Sequence, residues 1–410
     1  MKELMLSREW ENFQRILVIR PDNIGDVVML SPALRALRSN LPNASITLMA
    51  SPTGSQVAPL LPWVDDVLTS RVAWQDVSGA MPLNPMRETT LIEKIAKREF
   101  NAAIIFTSFY QSPYPPAYLC YLAGIPIRIG QSKEFGGGVL SHWVKPLPNS
   151  THQVDRNLFL LESIGLTAES RDLELKITDD IQVASDFLLR SWNINPDRPY
   201  IVLAPGANCP TRRYDIQRYA SVARSLASQT GLQIVIVGSR RETELIQPIL
   251  ANEKNQEYER LGEWKITPKL AHSPTYLQQE NNQIISLVGC TSLPELVGII
   301  QRASLVITNN SGPMHIADAL RRPMVILYSG TELESQWQPR SSNTKLLRRP
   351  TNCSPCYKPR CPYQMECLDI PPEEVVREAI DLLDRSLIPE IKVGQFWQNN
   401  CSENVSLIQN

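Results

Sequence analysis

Five groups of residues in this 410-residue chain have the types and spacing to do chemistry. Asp26 follows an apolar run at 16–19 and the turn Pro21-Asp22-Asn23-Ile24-Gly25. A carboxylate at a helix start is held ionised by the helix's positive end, and at the carboxyl end of a strand it faces the crevice where open α/β sheets bind ligands. Arg212 and Arg213 come just after the strand-end turn Pro205-Gly206-Ala207-Asn208, and permanently charged guanidinium suits diphosphate oxygens. Glu242 stands behind the turn Gly238-Ser239, where a carboxylate can accept both hydroxyls of a ribose. Asn309-Asn310-Ser311-Gly312-Pro313-Met314-His315 reads as a strand, a tight turn and a new helix. Gly312 permits a close approach, Pro313 suits the first helical turn, and exposed amides at that point favour an anion. Cys353, Cys356, Cys361 and Cys367 crowd one segment and could supply thiolates to Zn²⁺ or an iron–sulfur cluster. Each group also has a plainer reading: a helix cap, a solvated pair, a first-turn acid, an ordinary strand-to-helix junction, a thiol-rich loop.

Positioning these groups requires alternating strands and helices. Short apolar runs predict strands at 15–20, 45–50, 67–70, 102–108 and 127–130, with helical patterns at 27–37, 88–98 and 116–123. An amphipathic helix follows His152, which reads as its cap or as a packing residue at its start. After the polar stretch 167–180 and a helix at 181–192, a second series has strands at 200–204, 233–237, 285–288, 305–309 and 324–328. Its helices are expected at 216–226, at 242–250, at 293–302 with Ser292 or Thr291 as cap and Glu295 as reciprocal partner, and from Gly312 onward. Such alternation gives parallel sheets. The turns at 207–213, 238–242 and 310–315 then open on one edge of the second sheet, able to surround a nucleotide diphosphate. Residues 251–282 read as a polar surface insertion, 372–387 as an amphipathic helix and 389–410 as a loose tail. Asp65-Asp66 is a poor metal site because adjacent carboxylates point apart on extended chain, and Gly136-Gly137-Gly138 is a loop, placed where a lid over a ligand would sit.

The totals narrow the class. With 41 Lys and Arg against 42 Asp and Glu, no nucleic-acid partner is expected. The first residues carry charge without a long apolar stretch, and no run reaches the ~18 apolar residues of a membrane span, so a cytoplasmic location is expected.

Taken together and in order, these motifs resemble glycosyltransferase family 9, the ADP-heptose:lipopolysaccharide heptosyltransferases. The likeness spans about residues 15–385 and rests on 16–38 with Asn23-Ile24-Gly25-Asp26, Ala204-Pro205-Gly206-Ala207 with Arg212-Arg213-Tyr214, and Gly238 with Glu242. It also rests on Thr291-Ser292-Leu293-Pro294-Glu295-Leu296 and on 308–317. The resemblance implies an α/β GT-B architecture, two Rossmann-like domains facing across a cleft, and inverting transfer with no cofactor and no catalytic metal. By position, Asp26 matches the general base beside the acceptor, with Asn23 and Gly25 in the acceptor-side loop. Asn208, Arg212, Glu242, Asn310, Ser311, Gly312, Pro313, Met314 and His315 match the donor side. Asn310 stands where many members have Asp, and Tyr214 where many have Trp.

The expected organisation is an acceptor-binding domain at 1–170, a donor-binding domain at 181–350, and a cysteine-rich segment at 351–388 whose helix crosses back onto the first domain. The expected reaction moves a sugar, most simply heptose, from an ADP-activated donor to a lipopolysaccharide-type acceptor. Contact with the inner face of the cytoplasmic membrane follows from the family's lipid-linked substrates. Two other readings keep the fold: a different nucleotide sugar and acceptor, or a catalytically silent nucleotide-sugar-binding protein.

Overall fold

The computed structural model describes residues 13–76, 79–251 and 283–387; almost all of the expected insertion and the expected tail lie outside the described residues. The first half runs β1 (Arg15–Arg20), α1 (Ile24–Val28), α2 (Ser31–Asn40), β2 (Ser45–Ala50), β3 (Asp66–Thr69), α3 (Pro85–Ala96), β4 (Ala102–Ile105), α4 (Tyr114–Leu122), β5 (Ile127–Gln131), β6 (His142–Val144) and α5 (Gln153–Glu162). In the second half, α6 (Asp179–Ser191) leads into β7 (Tyr200–Ala204), α7 (Ile216–Thr230), β8 (Gln233–Ile236), α8 (Gln247–Leu250), β9 (Ile284–Ser286) and α9 (Leu293–Arg302). It continues through β10 (Leu305–Asn309), α10 (Gly312–Ala319), β11 (Met324–Leu327), α11 (Glu334–Trp337), β12 (Thr344–Leu347) and α12 (Pro372–Leu387).

Each half builds a six-stranded sheet, ordered β3-β2-β1-β4-β5-β6 and β12-β11-β10-β7-β8-β9. Every pairing is parallel, as where Ile16 lies opposite both Ile46 and Ala102, or Ile307 opposite Leu203. Counted within each half, the two orders are the same, and winding reverses between β1 and β4 and between β7 and β10. At such a switch point the loops leave in opposite directions and open a crevice beyond the carboxyl ends. Asp26 follows β1 and the 310–315 turn follows β10, so the fold aims both at crevices.

Helices cover both faces of each sheet, which is why the central strands are apolar on both sides. The outer face of the first sheet packs under α3 and α4, around Leu17, Ile105, Leu91 and Cys120. The outer face of the second packs around Leu203, Tyr219, Val325 and Leu382. The inner faces share one cluster that runs across the junction, from Val18 and Val27 to Met314, Ile316 and Trp337.

Several expectations need correction. The helix expected at 27–37 is two helices, α1 and α2, broken at Met29-Leu30, with Pro32 in the first turn of the second. The helix expected at 242–250 is a 3-10 turn at Arg240–Glu242 followed by the short α8, because Pro248 lacks an amide proton and fits only a first turn. Strands β6 and β12 went unanticipated. Over its described length α12 does not cross back: Val375, Val376, Ala379, Leu382 and Leu383 are buried against the second sheet's outer face. The polar stretch 167–180 packs down, with Leu173 and Leu175 buried, Lys176 N–H donating to Leu60 O at 2.9 Å and Arg35 donating to the Ser170 and Asp172 carbonyls. Asp65 and Asp66 are taken up by Arg38 and Arg98.

Candidate active site

Asp26 is the third residue of α1, where its carboxylate takes part in the helix cap. Its Oδ2 accepts the Asn23 N–H at 3.3 Å as half of a capping box, while Oδ1 accepts from Arg20 Nη2 at 2.8 Å and Ser108 Oγ at 3.3 Å. Its side chain stays 18% exposed, enough for a substrate hydroxyl to reach it. Arg20, Asp22, Ser108 and Gln111, none of them expected from the sequence alone, complete this corner. Asp22 is buried, its Oδ1 accepts from Gln111 Nε2 at 2.7 Å, and burial pushes its carboxyl up to about 6, with Arg20 opposing the rise and Asp26 adding to it. The missed signal was Arg20 itself, a charge ending a buried strand, which must find carboxylates nearby.

On the other side, Asn309 and Asn310 divide the work at the end of β10. Asn309 is wholly structural: its Oδ1 accepts from the Tyr214 N–H and the Tyr219 hydroxyl, and its Nδ2 donates to Pro205 O at 2.7 Å. Asn310 accepts the Ser329 N–H at 3.2 Å through Oδ1, but its buried Nδ2 and the Ser311 Oγ have no partner. Buried donors normally find partners, so two adjacent unsatisfied groups at a helix start are positioned for a ligand. Pro313 occupies the first turn of α10 as expected. Met314 is a correction: at 1% exposure its side chain belongs to the shared core and cannot face a donor from there. Tyr214 is likewise buried, its hydroxyl donating to Ile370 O at 2.5 Å, so its difference from Trp concerns packing of the core.

The two arginines separate. Arg213 Nε donates to Ala207 O at 2.8 Å and braces its own loop, whereas Arg212 Nη2 contacts Glu332 Oε1 at 2.6 Å. Glu332, in the loop after β11, was not anticipated. Burial raises its carboxyl above the usual range, Arg212 opposes this, and Asp26 adds to it. Glu242 Oε2 accepts from Ser239 N–H at 2.7 Å and Ser239 Oγ at 2.9 Å. A side chain at Gly206 would overlap its Oε1, and one at Gly238 would lie 2.9 Å from Oε2, so both glycines make room for this carboxylate.

The halves meet at the site. Asn208 Nδ2 donates to Asn23 Oδ1 at 3.0 Å, and Ile24 packs against Gly312. His315 lies so close to Gly25 that a Cβ there would sit 2.7 Å from His315 Cδ2. His315 is edge-on to Trp337, which is edge-on to Phe109. Burial holds the His315 imidazole down to about 4, so it is neutral at pH 7 despite the pull of Asp26. His152 caps α5, accepting the Val154 N–H at Nδ1, and its Nε2 therefore donates to Gln338 O at 2.9 Å across the junction. The 136–138 loop packs Gly136 against Tyr114.

The four clustered cysteines line a small cavity with Thr211, Gly330 and Thr331, behind the Arg212 turn. Burial raises the Cys367 thiol, the Gly330 backbone opposes this, and the neighbouring Cys361, Cys353 and Cys356 add to the rise. Among the described residues, no three His, Cys, Asp or Glu side chains are arranged to hold a metal ion. The segment is tied to the site by Cys356 N–H to Gly330 O at 3.0 Å and Thr211 Oγ1 to Lys358 O at 2.9 Å. No helix among the described residues is long and apolar enough to cross a membrane.

Comparison with known proteins agrees with this geometry. The chain is 27% identical over 380 residues to lipopolysaccharide heptosyltransferase 2 of Escherichia coli strain K12, covering 90% of this chain and 98% of the relative. Its fold is similar to the solved E. coli ADP-heptose lps heptosyltransferase II, with a TM-score of 0.68, 23% identity, and 91% and 99% of the two chains covered. It is also similar to a glycosyl transferase family 9 protein from Veillonella parvula DSM 2008, with a TM-score of 0.67, 22% identity, and coverage of 92% and 98%. The family model for glycosyltransferase family 9 (heptosyltransferase) matches residues 89–366. With two parallel six-stranded sheets and a family model that matches more than half of its length, the chain belongs to glycosyltransferase family 9.

Proposed function

We propose that this chain transfers heptose from ADP-heptose to a lipopolysaccharide-type acceptor, inverting the anomeric centre without a catalytic metal. Residues 1–170 hold the acceptor and 181–350 the donor. The observation that carries the reading is the meeting of the Asp26 corner with the 310–315 turn, His315 lying against Gly25. The names of the similar proteins, lipopolysaccharide heptosyltransferase 2 and ADP-heptose lps heptosyltransferase II, support the choice of sugar and acceptor.

An acceptor hydroxyl is a poor nucleophile at neutral pH. As its oxygen bonds to the anomeric carbon, its proton passes to Asp26, and the bond from that carbon to the diphosphate oxygen breaks with its electron pair leaving on ADP. Attack opposite the leaving group inverts the centre. Charge gained by the diphosphate is met by Arg212, the amides at the start of α10, and the unpartnered Asn310 Nδ2 and Ser311 Oγ. Glu242 accepts the ribose hydroxyls. Neutral His315 bonds to phosphate or sugar, since one base suffices. The enzyme works at the inner face of the cytoplasmic membrane, where a lipid-linked acceptor is presented. Asn310 in place of Asp supports a second reading, a donor with a different sugar, because an amide offers the sugar a hydrogen-bond donor that a carboxylate lacks.

The test is mass analysis of the product formed from a truncated lipopolysaccharide core and a panel of nucleotide sugars, with and without chelator. A gain of one heptosyl unit from ADP-heptose, unaffected by chelator, is expected. Turnover of another nucleotide sugar with none of ADP-heptose overturns the choice of donor.

A further inference from the structure

Asp26 shares its corner with a second carboxylate. The Arg20 side chain is fully buried: Nη2 donates to Asp26 Oδ1 at 2.8 Å and to Ser108 Oγ at 2.6 Å, and Nε lies 3.2 Å from Asp22 Oδ2. Asp22 is 7% exposed at its side chain, and Gln111 links it to the Ser108 N–H at 2.7 Å. Arg20 Nε and Nη1 have no hydrogen-bond partner, so the Asp22 contact is ionic, and Arg20 relies on both carboxylates for charge balance.

We propose that Asp22 is a positioning residue for the transfer reaction, balancing Arg20 so that Asp26 remains basic enough to take the acceptor's proton. The inference rests on Asp26 being the base. The physical reason is charge bookkeeping in a buried site. With Asp22 ionised, the Arg20–Asp22–Asp26 cluster has net charge −1 and becomes neutral on taking a proton. Without it the cluster begins neutral and must become a buried cation, which low dielectric disfavours. Arg20's full charge would then hold Asp26 as a weak base. The other groups facing this corner cannot substitute. Arg156 of α5 adds positive charge, His315 is neutral, and Glu332 is paired with Arg212.

Burial pushes Asp22 up to about 6, so the balancing charge is lost as pH falls through that value. The wild-type kcat should therefore step down near pH 6. The experiment measures kcat and donor KM from pH 5 to 9 for wild type, Asp22→Asn and Asp22→Glu. In parallel, the Asp26 carboxyl is titrated by ¹³C NMR of aspartate-labelled protein, assigned with Asp26→Asn. Asp22→Asn should lower kcat at pH 8 by roughly tenfold or more, leave donor KM within about twofold, abolish the step, and lower the Asp26 midpoint by about one pH unit. Asp22→Glu should recover part of the rate and keep a step. An unshifted Asp26 midpoint, or full kcat with the step retained, overturns the proposal. Should Asp26→Asn itself turn over normally while the midpoint still shifts, the base assignment fails and the charge coupling stands.

Discussion

Residue by residue, the site is a set of charges held in check by one another. Arg212 is the cation proposed for the leaving diphosphate, yet Glu332 occupies it, with the two side chains 32% and 19% exposed. A diphosphate must displace that carboxylate or share the guanidinium with it, and like charges at this spacing oppose binding. Glu332→Gln should therefore tighten ADP binding several-fold, by about 1 kcal/mol, in calorimetry. Unchanged or weaker binding would make Glu332 a support for Arg212 instead of its competitor. Asp26, Arg212, Glu242 and the 310–315 turn were all legible in the sequence, because each is a chemical residue type directly behind a strand. Asp22, Ser108, Gln111 and Glu332 were not. A polar side chain in a turn reads as solvated, and only the fold reveals that Arg20 and Asp22 are buried together.

Among the elements, the long apolar strands announced themselves, and of the four edge strands β3 and β9 did while β6 and β12 did not. β1, β7 and β10 are buried runs of branched residues, whereas β6 (His142–Val144) and β12 (Thr344–Leu347) are short edge strands without a buried run. The α1–α2 break was hidden because the apolar stripe continues across it. Met314 shows the opposite failure. A residue inside a functional motif can still be a core residue when its helix turns it inward. The contact between α1 and α10 depends on Gly25. A methyl group there meets His315 Cδ2 at 2.7 Å, inside van der Waals range, and relieving such an overlap costs about 1–3 kcal/mol. Gly25→Ala should cut kcat at least tenfold while ADP still binds to the second half. Wild-type turnover would show that the helices need not meet this closely.

At the scale of the molecule, the junction between the two halves buries two neutral histidines, His152 bonded to Gln338 O and His315 packed against Gly25. Burial holds both His152 and His315 down to about 4, against 6.5 when unperturbed. Each therefore contributes stability that is complete above pH 6.5 and lost as pH falls to 4, about 3 kcal/mol apiece. Asp22, raised from 3.8 to about 6, works in the opposite direction, stabilising below 3.8 and losing that contribution as pH rises through 6. Two histidines outweigh one aspartate. The melting temperature should fall by several degrees between pH 7 and pH 4.5, and His315→Asn should flatten that slope. A melting temperature constant over the same range would contradict the buried, neutral state of these side chains.

The central claim is that one carboxylate on the first half performs the proton transfer while the second half grips the donor. Asp26→Asn separates these roles most directly, because the amide keeps the shape and cannot accept the proton. Measured by single-turnover transfer alongside ADP calorimetry, it should bind nucleotide within about twofold of wild type and lose transfer by roughly 10²–10⁴-fold. Transfer at a rate close to wild type would contradict the account.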